Sequence, residues 1–209
     1  MCNLYSMTRT QDEMRRLFEG LGAADALGNQ RPLDEVYPDQ AAPILRVEAA
    51  GRALAPGRWG MPSPRFALEG KKTDRGVTNI RNTGSPHWRR WLAPAHRCLV
   101  PFTRFAEPAG KGRGNAWFET ADGAPAVFAG IWTRWTSVRK LKDGETTDDL
   151  YGFLTCPPNA EVGAVHPKAM PVILTDPAAW ETWLSAPWEV ARDLQRPLPD
   201  GALRRVAQE

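Results

Sequence analysis

The chain opens "MCNLYS", and Cys2 carries its most distinctive chemistry. Removing Met1, a step favoured when the second residue is small, would leave an α-amine and a thiol on adjacent carbons. No internal residue offers that pair. In model peptides the amine titrates at about 7.7–8.0 and the thiol at about 8.5, so both are partly nucleophilic near neutrality. Such a pair can attack one aldehyde twice, forming an imine first and then closing a five-membered thiazolidine through sulfur. Two other residues are suited to moving the protons. Glu107 ends the apolar run "HRCLVPFTRFAEP", and His166 sits in "AVHPKAMPVIL" just before another run. Carboxyl and imidazole are common general acids and bases. Asn79, in "TNIRNTGSPHW", adds a neutral donor and acceptor. Each of these residues also has a bland reading: a small buried hydrophobe, a charge at a strand end, a surface histidine.

Charge distribution suggests a partner. Net charge is only +3, yet from Arg58 to Arg113 twelve Lys and Arg face three acids, an excess of +9 that leaves −6 elsewhere. A stretch this lopsided suits a polyanion. Within it Arg81, Arg89, Arg90 and Arg97 are candidates for phosphate, with Trp88 and Trp91 flanking the arginine pair and Trp59 upstream. Aromatics interleaved with cations suit single-stranded nucleic acid, where bases stack while phosphates are neutralised. Nine tryptophans cannot all be platforms, and most are expected inside. His87 and His96 fit phosphate contact or a solvated surface. Three readings stay open: crosslinking to an aldehyde in DNA, amide hydrolysis with Cys2 as an N-terminal nucleophile, and nucleic-acid binding without chemistry. The second uses Cys2 and Asn79 equally well but leaves the cations idle.

The elements that must position these residues are mostly short strands. "QDEMRRLFEGLG" has apolar residues at Met14, Leu17, Phe18 and Leu21, the spacing of an amphipathic helix ended by Gly22. "DPAAWETWLSAP" predicts a helix capped by Asp176 with Pro177 at its first position. "NAEVGAV" predicts a short helix. "APILRVEA", "HRCLVPFTRFAEP", "WFETADGAPAVFAGIWTRW", "LYGFLTC" and "AMPVILT" read as strands, with a turn at Asp122-Gly123. "ALAPGRWGMPSPRF" is too rich in Pro and Gly for regular structure, and "KLKDGETTDD" reads as a polar loop. The expected fold is α+β: a single domain over 1–209 with a curled, barrel-like, mostly antiparallel sheet and a few flanking helices. Three cysteines, an odd count without paired spacing, argue against disulfides or a metal cluster and suit a reducing cytoplasm. No phosphate loop, dinucleotide fingerprint or metalloprotease motif occurs, so neither cofactor nor metal is expected. No apolar stretch is long enough for a membrane span.

Taken in order, "MCNLYS", "TNIRNTGSPHW", "HRCLVPFTRFAEP" and "AVHPKAMPVIL" resemble the SOS response-associated peptidase (SRAP) family. The resemblance implies a barrel-like α+β domain with a basic groove for single-stranded DNA containing abasic sites. It also implies loss of Met1, a thiazolidine crosslink to the ring-opened abasic sugar, and possible lyase chemistry. By motif, Cys2 would be the nucleophile, Asn79 would position the amine and sugar, and Glu107 and His166 would handle protons. Arg81 would hold phosphate, Thr155 would line the pocket and Lys168 would supply a further charge. A monomer in the bacterial cytoplasm, associated with the nucleoid, is the expected form. The chain departs from the family pattern at Leu4, where an arginine is usual, and at Pro108, where an aromatic is usual. Lys168 likewise stands in for an arginine and lacks its planar fork.

Overall fold

Apolar runs dominate the chain, and in the computed structural model, which describes residues 2–110 and 112–207, they become strands. In chain order these are β1 (Leu4–Met7), β2 (Ala23–Asp25), β3 (Leu33–Val36), β4 (Ala41–Glu48), β5 (Gly51–Trp59), β6 (Asn79–Ile80), β7 (Arg97–Phe102), β8 (Arg104–Pro108), β9 (Asn115–Thr120), β10 (Ala126–Val138), β11 (Glu145–Cys156), β12 (Met170–Pro171), β13 (Ile173–Leu174) and β14 (Leu203–Val206). The helices are α1 (Gln11–Phe18), α2 (Arg65–Leu68), α3 (Pro86–Arg89), α4 (Ala160–Gly163), α5 (Pro177–Ser185) and α6 (Trp188–Ala191).

Five strands form a closed ring. β5, β4, β7, β10 and β11 pair antiparallel in that order, and β11 returns to β5 in parallel through Leu150↔Arg58 and Tyr151↔Trp59. Closure removes the free edges that would otherwise invite pairing with another chain. A second, wholly antiparallel sheet runs β14-β9-β8-β1-β3. The result is a single α+β domain built on a barrel, as the sequence predicts. Inside the barrel Trp59 stacks on Phe153 at 5.1 Å and Phe102 on Phe128 at 4.0 Å. Tyr5 joins the second sheet to this core, its ring edge-on to Trp59 and its hydroxyl 2.6 Å from that of Tyr151. Gly57 permits the packing, since a Cβ there would lie 2.8 Å from Ile44 and 2.9 Å from Tyr151. Among the described residues all three cysteines are free and buried, and no helix is long and apolar enough to cross a membrane.

The helices follow their signals. Thr10 caps α1 with a reciprocal Glu13 bond, and Asp176 accepts from Ala178 N at 2.9 Å to cap α5. Three local expectations need correction. Residues 53–59 are not irregular but belong to β5. Pro56 lies opposite Pro43, and the next strands on either side bond elsewhere, so neither missing N–H breaks a ladder. The polar loop shrinks to a turn because β11 starts at Glu145, where cross-strand pairs such as Thr136–Thr147, 2.7 Å apart, extend the hairpin. The Asp122-Gly123 turn exists, but the strands flanking it part company: β9 joins β8 and β14, whereas β10 joins the barrel.

Candidate functional site

Four elements bring the catalytic candidates together. The antiparallel register Leu4↔Ala106, continued one step outward, carries the start of the chain alongside Glu107 at the end of β8. There the Cys2 main chain interacts with the Glu107 carboxylate and favours its charged form. Asn79 opens β6, which β11 holds through Phe153↔Asn79, and its Nδ2 donates to the Cys2 carbonyl at 2.8 Å. α4 ends just before His166, whose N–H donates to Val162 O at 2.7 Å. His166 Nε2 thereby comes within 3.9 Å of Glu107 Oε2. Met1, whose removal the sequence reading invokes, lies outside the described residues.

Burial sets the electrostatics of the group. Cys2, Glu107 and Thr155 have almost no exposed surface, and Asn79 little more. Burial pushes the Glu107 carboxyl up to about 7, within reach of proton exchange at neutral pH. Burial, and after it the Glu107 charge, raises the Cys2 thiol well above its ordinary value. Burial and the Lys168 ammonium lower His166, favouring neutral imidazole. The arrangement therefore holds a protonated thiol, a carboxyl able to give or take a proton, and a neutral base.

The neighbouring candidates divide sharply. Arg81 and Lys168 are exposed, and the Arg81 guanidinium donates to the Lys168 carbonyl. Thr155 is the penultimate residue of β11, and its carbonyl shares a hydrogen-bond donor, Gln195 Nε2, with that of Arg81. Arg89 and Arg90 are exposed around α3, with Arg90 lying 4.2 Å over the Trp91 ring. Trp59 and Trp88, expected as stacking platforms, are corrections: they are 0% and 7% exposed and serve the core. Arg97 is another. It is fully buried, its guanidinium donating to the carbonyls of Leu92, Trp183 and Ala186 at 2.7–3.0 Å. His87 and His96 bond the Pro62 and Trp132 carbonyls. Part of the basic excess is also spent internally, since Arg58 pairs with Asp39 and Asp148. Arg65, Lys71, Lys72, Arg75, Arg81 and Arg113 remain exposed, and Lys111 lies outside the described residues.

Two features escaped the sequence reading. Residues adjoining Cys2 and Glu107, namely Asn3, Leu4, Ala106 and Pro108, line a cleft of about 450 Å³ with Tyr37, Arg75 and Thr78. Val165, next to His166, lines a second of about 420 Å³ with Ala109, Gly110, Arg113 and Arg205. Leu4 and Pro108, two of the departures from the family pattern, thus both line the first cleft. The exposed aromatics are Tyr37, Trp135 and Phe66, the last 77% exposed on α2 between cations. Nothing in "SPRFALEG" distinguishes such a ring from a core residue.

A family model described as SOS response associated peptidase (SRAP) matches residues 1–208. The chain belongs to the SRAP family. Membership associates it with the SOS response and with a peptidase class. A solved structure from Bordetella bronchiseptica is similar over the full length of both chains, at 28% identity and a TM-score of 0.72. A protein from Bacteroides thetaiotaomicron shares the fold, with 20% identity, a TM-score of 0.74, and coverage of 98% of this chain and 90% of its own. So does a phage-related protein from Bordetella bronchiseptica, with 21% identity, a TM-score of 0.69, and coverage of 100% and 95%. Among curated proteins none matches.

Proposed function

We propose that this SRAP protein, once Met1 is hydrolysed away, crosslinks covalently to abasic sites in single-stranded DNA through Cys2. The observation that supports it best is the convergence of the Cys2 main chain with Glu107, Asn79 and His166. Hydrolysis of the Met1–Cys2 amide consumes one water and frees the α-amine. That amine adds to the aldehyde of the opened sugar, and the carbinolamine loses water to give an imine. Sulfur then adds across the C=N bond, and its proton ends on nitrogen. No oxidant or reductant is needed. The raised thiol pKa sets the order, because thiolate is scarce and the amine acts first. Glu107 takes protons from the amine and returns them to the departing hydroxyl, His166 assists opening of the sugar ring, and Asn79 holds the Cys2 carbonyl. Arg75, Arg81 and Lys168 meet phosphates, while Tyr37 and Phe66 take the stacking role first assigned to buried tryptophans. Amide hydrolysis by the same residue would leave these cations and rings without a task.

The test is adduct formation between the purified protein and an abasic single-stranded oligonucleotide, read on a denaturing gel. Wild type should form a stable adduct. Cys2→Ala should form none, yet bind the oligonucleotide within about threefold of wild-type affinity, since phosphate contacts supply most of it. An undiminished adduct from Cys2→Ala, or none from wild type with Met1 removed, sinks the proposal.

A further inference from the structure

The β6–β11 ladder ends at Leu154↔Ile80, which leaves the next carbonyls, those of Thr155 and Arg81, beyond its last pair. Both are met by one side chain. Gln195 follows a short 3₁₀ turn over Arg192–Leu194 and is partly buried. Its Nε2 donates to Arg81 O at 2.9 Å and Thr155 O at 3.0 Å, while its Oε1 accepts from Thr83 Oγ1 at 2.9 Å. A primary amide offers two N–H donors and a carbonyl acceptor, and here all are engaged. Gln195 therefore extends the ladder by one rung in side-chain form. The effect reaches further, because the guanidinium of Arg81, whose main chain Gln195 holds, donates to Lys168 O, two residues beyond His166.

The geometry points to Gln195 as a positioning residue for this site. It touches no reacting atom. It fixes the main chain of Arg81 and Thr155, and through Arg81 the loop that follows His166. A displacement of about 1 Å in such groups is enough to slow a positioned reaction severely. The functional half of this inference rests on the crosslinking reading above, whereas the structural half rests on the hydrogen bonds alone.

Two variants test it. Gln195→Met keeps the length of the side chain and removes the amide; Thr83→Val removes only the hydroxyl that Gln195 receives. Single-turnover adduct formation is followed across a range of abasic oligonucleotide concentrations, beside amide hydrogen exchange over residues 78–84 and 153–156. Gln195→Met should lower the rate at saturating DNA about tenfold while moving the half-saturating concentration less than about threefold. Exchange in both segments should rise about tenfold, with β4 and β5 unchanged. Thr83→Val, losing one bond of three, should lower the rate about twofold. A role confined to stability would lower the melting temperature and leave the saturated rate per folded molecule intact. A wild-type rate at saturation in Gln195→Met overturns the inference, whatever exchange does. If Gln195→Met does not fold, a wild-type rate in Thr83→Val overturns it instead. If wild type forms no adduct, the crosslinking reading falls, and unchanged exchange in the variants then overturns the clamp.

Discussion

Glu107 gives the site a pH signature that can be measured without DNA. Its carboxyl is buried and titrates at about 7 in the fold, against 4.5 ordinarily. The folded chain therefore holds this proton to higher pH than the unfolded one. Stability falls as pH rises from about 4.5 to about 7, by up to ~3 kcal/mol, and is level above. Glu107→Gln removes that penalty. The variant should melt like wild type near pH 4 and higher than wild type near pH 8, with adduct formation slowed about a hundredfold. A lower melting temperature at the alkaline end would mean that the carboxylate form stabilises the fold. At this scale the sequence was informative for a chemical reason. Cys2, Asn79, Glu107 and His166 stand out by what their side chains can do, and the fold gathers all four. Trp59, Trp88 and Arg97 misled because an indole or guanidinium among like neighbours reads the same whether it faces water or core.

Elements were legible where a local signal overrides context. Asp176 and Pro177 mark the start of α5 by capping chemistry, and Asp176→Ala should cost about 1 kcal/mol in a denaturant titration. No change within error would assign the cap to other contacts. β5 was not legible, because Pro56 and Gly57 argue against a strand until their partners are known. Opposite Pro43, beside Ile44 and Tyr151, a proline breaks no ladder and a glycine is the residue that fits. Such permission comes from residues distant in the chain, and no window on the sequence contains it. Gln195 was invisible for the same reason, since its three partners lie on segments far from it in sequence.

Over the whole molecule, the basic stretch proves partly internal and partly a surface. With Arg58 paired and Arg97 buried, the exposed cations lining the clefts or following His166 are few among the described residues: Arg75, Arg113 and Arg205, with Arg81 and Lys168. If these five each neutralise one phosphate, affinity for single-stranded DNA should fall with salt at a log–log slope of about −3.5. A slope near zero would leave the surface without a polyanion to bind. The barrel seam has a consequence in time. It joins β5 to a stretch of β11 that the ribosome makes about ninety residues later, and segments so far apart pair slowly and late. Cys2 precedes Asn79, Glu107 and His166 in the chain, so the proposed nucleophile is made before the residues that gather around it. The topology thereby postpones the proposed reactivity until the chain has been extended past His166.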